Sequence, residues 1–91
     1  MDYKRYHNEV ISMQRKMRDW LDLPSHSEAR SLESAFQQLE DNVQVQKSTH
    51  TIRDNLKQIE SILNRLDESV MSHGHVGELE DWVQGSLSKI R

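Results

Sequence analysis

The chain places its five histidines at His7, His26, His50, His73 and His75, and only the last two are close neighbours, in His73-Gly74-His75 with Glu78 three residues on. Zinc takes four ligands in a closed site, or three plus water in an open one. Two imidazoles and a carboxylate gathered by a glycine turn would hold Zn(II) or Ni(II) weakly, so His73, His75 and Glu78 are weak candidate ligands. The plainer reading is a polar loop, and neither a bound metal nor another cofactor is expected.

Carboxylates suited to acid–base work occur as Glu40-Asp41, Asp67-Glu68 and Glu80-Asp81. Adjacent residues on a helix point about 100° apart, so such pairs do not converge on one substrate atom. Nucleophilic catalysis needs an activated Ser, Thr or Cys beside a base. The chain has no cysteine, and its serines are scattered, with neither a nucleophile elbow nor a glycine-rich oxyanion loop. It is not expected to be an enzyme.

Lys4, Arg5, Arg15, Lys16 and Arg18, with Tyr3 and Tyr6 nearby, are the residues that would meet a nucleic acid. Such binders are usually basic overall, whereas this chain carries a net charge of −3 with a pI near 5.9. Nucleic-acid binding therefore stands as the second reading. The first is binding of another protein, or of another copy as a homodimer. Met13, Met17 and Trp20 near one end of a helical stripe, and Trp82 with Val83 in the last segment, are its candidate contacts, because methionine and tryptophan fill irregular interfaces well.

These residues need elements to position them, and composition limits the choice. Apolar residues make up 34% of the 91, against roughly 45–50% in ordinary globular chains when glycine is included. A thin core is affordable to one domain. No apolar run exceeds two residues, so neither a membrane span nor the apolar region of a signal peptide is expected, which favours a cytoplasmic location. A disulfide framework is excluded for want of cysteine.

Periodicity is the strongest signal. Tyr3, Tyr6, Val10, Met13, Met17 and Trp20 step by alternating threes and fours, the pattern of a helix with a narrow apolar seam. Pro24 stops that helix, giving residues 2–22. Ser25-His26-Ser27-Glu28 reads as a capping box, followed by a stripe of Ala29, Leu32, Phe36, Leu39 and Val43. A third stripe is Ile52, Leu56, Ile59, Leu63, Leu66 and Val70, closed by the glycines at 74 and 77. Leu79, Trp82, Val83, Leu87 and Ile90 mark a last helix.

Between residues 25 and 73 there is neither glycine nor proline, and a single long helix is the rival reading. At about 100° per residue, however, Ile59 would lie some 140° round the helix from Phe36, so a continuous helix would change its apolar face midway. Weak helix formers around Gln46–His50 favour a break there. The expected fold is thus all-α: an antiparallel bundle of three to four helices with coiled-coil-like seams, at about 2–22, 26–46, 50–72 and 78–90. Residues 1–18 carry +3 and residues 19–46 carry −5, so the first helix should lie along the second with opposite charges fixing the register. The expected role is a non-catalytic interaction or assembly module that self-associates.

Overall fold

Asp2 starts the first helix by accepting a hydrogen bond from the Arg5 amide at 3.1 Å, satisfying one of the N–H donors a helix start leaves open. In this computed structural model, which describes residues 1–90, four helices follow in order: α1 (Tyr3–Trp20), α2 (Ser27–Gln44), α3 (Thr49–Asn64) and α4 (His73–Lys89). Each packs on its chain neighbours, and α4 returns to α1, closing a ring with neither diagonal pair in close approach. The α1–α4 side is the loosest of the four. Short connections make successive helices antiparallel.

The core runs along the bundle axis. Phe36, Leu32 and Leu39 of α2 meet Ile52, Leu56, Ile59 and Leu63 of α3, with Val10 and Met17 from α1 and Leu79 and Val83 from α4 closing the other sides, all essentially inaccessible to water. The expected apolar stripes are therefore spent on each other inside one chain.

The expected break between the second and third helices is present. Val45 caps α2, Gln46 follows with φ 57°, the Lys47 amide donates to the Asn42 carbonyl at 2.9 Å, and the Gln46 amide donates to Val43 at 3.1 Å. Those two bonds define a Schellman stop, in which the left-handed position usually belongs to glycine. Tyr3 then fixes the turn to α1 by donating its hydroxyl to the Lys47 carbonyl at 2.7 Å. Because a side chain in left-handed geometry costs about 1–2 kcal/mol, and glycine gives part of this back as unfolded-chain entropy, Gln46→Gly is expected to stabilise the fold by about 0.5–1 kcal/mol. Urea denaturation followed by circular dichroism measures it.

Three expected boundaries are corrected. First, α2 is capped by His26, whose Nδ1 accepts from the Glu28 amide at 3.1 Å, so Ser25 is not the cap of a capping box. Second, the third helix ends at Asn64, well short of residue 72. Asp67 accepts from both the Ser69 amide (2.8 Å) and the Ser69 hydroxyl (2.7 Å), offering the backbone a turn in place of a helix. Leu66, Val70 and Met71 are still buried, but on a folded loop, which the Asp22 amide ties to the α1–α2 connection by donating to the Val70 carbonyl at 2.8 Å. Third, α4 begins at His73, so Gly74 and Gly77 lie inside a helix and do not mark a stop before residue 78.

Candidate interaction surface

The residues expected to meet a partner divide in two. Met17 and Val83 are fully buried in the core and offer no surface, which removes them from the candidate set. Met13, Trp20 and Trp82 are half-buried and packed against the rim of the core, as are Tyr3 and Leu87. All five of these partly exposed large apolar side chains sit on α1 or α4.

Trp82 closes the α1–α4 side. Its ring stacks on Tyr6 at 6.0 Å and on Phe36 at 5.9 Å, and its Nε1 donates to Glu9 Oε1 at 3.1 Å. Glu9 also receives Lys89 Nζ at 3.1 Å, so one α1 carboxylate holds two α4 side chains. Nearer the other end, Trp20 stacks on His75 at 4.3 Å with the rings 5° from parallel. These contacts set the relative level of the two helices: Glu9 stands beside Trp82 and Lys89, and Trp20 beside His75.

Polar groups are buried on both flanks of α1, Gln14 toward α2 and the Tyr6 phenol with Ser86 toward α4. The a/d reading put Met13 in the core, but the buried stripe of α1 is Tyr6, Val10, Gln14, Met17 and Leu21, with Gln14 only 4% exposed. Gln14 Nε2 donates to Gln37 Oε1 at 3.3 Å, and Gln37 Nε2 in turn donates to Glu40 at 3.0 Å. Polarity alone hides Gln14 from a search for apolar stripes, although a step of four from Val10 is as good a helical spacing as the step of three to Met13. Ser86 of α4 is buried as well, and its hydroxyl and the Tyr6 phenol lie close without forming a well-shaped hydrogen bond. Burial pushes the Tyr6 phenol up to about 12, partly offset by the Ser86 hydroxyl. A notch of about 390 Å³ opens between the start of α1 and the end of α4, lined by Arg5, Tyr6, Glu9, Lys89 and Ile90 among others.

The charges depart from expectation. Glu40 lies 3.8 Å from His7 across the α1–α2 interface. Among the described residues, however, the charged side-chain group of none of Lys4, Arg5, Arg15, Lys16 and Arg18 comes within 4.0 Å of a carboxylate. The expected register-fixing pairs between basic α1 and acidic α2 are therefore not made by lysine or arginine. All five cations are exposed.

The metal reading also changes. Because residues 73–78 are helical, His73 and His75 point about 200° apart; His73 sits 3.5 Å from Glu68, while His75 is engaged by Trp20. Among the described residues no three histidine, cysteine or acidic side chains gather as a metal site would require. At the same end, Asp67 is held below the usual carboxylate range by the Ser69 hydroxyl and amide, with His26 and His73 adding attraction.

Glycines are the other feature whose meaning the helix boundaries changed. Gly74, Gly77 and Gly85 all lie in α4, and a Cβ built on any of them meets nothing within 4 Å. Helix-interior glycine costs about 0.8–1 kcal/mol relative to alanine, and no contact inside the molecule accounts for it here. The double substitution Gly77→Ala with Gly85→Ala is expected to stabilise the fold by about 1–2 kcal/mol in urea denaturation.

The fold and this surface together define an all-α, four-helix antiparallel bundle with one loosely closed, partly apolar side. No protein-family description, no curated protein and no solved structure matches the chain. Among the described residues, no helix is long and apolar enough to cross a membrane.

Proposed function

We propose that this chain is a non-catalytic interaction and assembly module that self-associates through the α1–α4 side of its bundle. The observation that carries the reading is that Met13, Trp20 and Trp82, partly exposed and packed on the rim of the core, share this loosely closed side. Aromatic rings and thioethers left partly wet at a loose seam gain most from being covered.

Tryptophan accessibility tests this, since both tryptophans lie on the side concerned. Acrylamide quenching should fall as the protein is raised from low to high micromolar concentration, with a blue shift in emission. Quenching that stays constant over that range argues against the reading.

A second reading, nucleic-acid binding by α1, draws support from the five exposed cations without carboxylate partners. A mobility-shift assay at two salt concentrations separates it, because binding to phosphates weakens steeply with salt.

A further inference from the structure

We propose that the occupant of the α1–α4 side is a second copy of this chain, related by a two-fold axis parallel to the bundle, so that α1 of each copy lies against α4 of the other. The inference rests on the self-association reading and adds its geometry.

Charge complementarity selects the arrangement. By the 100° step of an α-helix, Arg5, Ser12, Lys16 and Asp19 form one outward strip on α1, all exposed. Gly74, Glu78, Asp81 and Gly85 form a matching strip on α4, also exposed. The α1 strip sums to +1, with Arg5 and Lys16 in no ion pair, and the α4 strip to −2, with Glu78 and Asp81 approached within 4.0 Å by no lysine or arginine of the described residues. The Trp20–His75 and Glu9–Trp82 contacts place Lys16 at about the level of Glu78 in its own chain. A two-fold axis along the bundle preserves level, so Lys16 of each copy comes over Glu78 and Asp81 of the other, twice over. Such an isologous contact closes at two subunits.

Size and shape agree. The molecule measures about 35 × 21 × 18 Å, so one long face offers roughly 600–700 Å² per copy, within the range of specific interfaces, which bury about 800 Å² per partner with wide scatter. On α4 the strip is bare of side chains at Gly74 and Gly85, which lets an opposing helix approach closely. A nucleic acid fits less well: a polyanion broad enough to cover α1 also meets α2 and α4, whose charged side chains sum to −3 and −2.

Two exposed variants test the geometry, Lys16→Glu and the double variant Glu78→Lys with Asp81→Lys, each checked for helicity by circular dichroism. In sedimentation velocity at low salt the wild-type chain should dimerise. Each variant alone should associate at least tenfold more weakly, since like charges then face each other at both contacts. An equimolar mixture should recover association, because every contact in the mixed dimer again joins opposite charges. Gly85→Ala should raise the melting temperature while weakening association.

A wild-type dimer that both charge reversals leave unchanged overturns this geometry and leaves self-association standing. A wild-type chain that stays monomeric at all salt concentrations overturns both. A monomer that shifts duplex DNA with steep salt dependence overturns both in favour of the nucleic-acid reading.

Discussion

Replacing Trp82 by alanine is expected to destabilise the bundle by about 3 kcal/mol, the lower end of the range for a large aromatic removed from a core. The lower end applies because the ring is half-buried. Three contacts disappear at once: the stacks on Tyr6 and Phe36, and the indole N–H donated to Glu9. The space left lies on the side where α1 and α4 are already loosely packed, so the helices there have little else to hold them. Trp82→Phe keeps most of the apolar contact and loses the hydrogen bond, and should cost about 1 kcal/mol. Urea denaturation followed by far-UV circular dichroism measures both, and Trp20 remains as a fluorescent reporter on α1. Equal losses for alanine and phenylalanine would mean that the Glu9 bond, and not the ring stack, closes this side.

The second large effect is alkaline. The Tyr6 phenol is pushed up to about 12 in the folded chain, while an unfolded tyrosine titrates near 10. Ionisation therefore favours the unfolded chain as soon as pH passes about 10. The stability tied to the neutral phenol is fully present below that pH and is lost between about 10 and 12, amounting to roughly 3 kcal/mol once both states are ionised. At pH 11.5 the loss should already be about 2 kcal/mol. Tyr6→Phe removes this component, so comparing wild type with the variant at pH 9 and pH 11.5 isolates it from the titration of lysines and of Tyr3. An identical pH dependence in the two proteins would contradict burial of the phenol.

Most of the fold was legible because burial and periodicity coincide for large apolar residues. Leu32, Phe36, Leu39, Ile52, Leu56 and Ile59 are buried where their spacing puts them, and the phase change between Phe36 and Ile59 calls for a break that the weak helix formers around residues 46–50 place where the chain turns. The misreadings have a shared cause, which is that one residue type was allowed one meaning. Glycine suggests a stop, yet Gly74 and Gly77 follow Ser72 at the N-cap position of α4 and have ordinary backbone geometry. Leu66 and Val70 keep helical spacing and are buried, but Asp67 and Ser69 pull the backbone between them into a turn.

The candidate surface was half legible. Tryptophan and methionine content pointed to α1 and α4, but not to which of those residues the core would claim: Met17 and Val83 went inside, and Met13 was left at the rim in favour of Gln14. That choice depends on how α1 is rotated against both its neighbours, with Gln14 turned to Gln37 of α2, which no single helix encodes. The lack of carboxylate partners for the α1 cations was hidden for a similar reason. Opposite net charge on neighbouring helices does not place individual groups at matching levels, and exposed pairs contribute too little, about 0–1 kcal/mol each, to force them there.

The central claim is that two copies of this bundle meet on the α1–α4 side, and sedimentation equilibrium at low salt tests it most directly. The weight-average mass should rise from that of the 10.7 kDa chain toward twice that value as concentration increases into the high micromolar range. A mass that stays at the single-chain value throughout would contradict the claim.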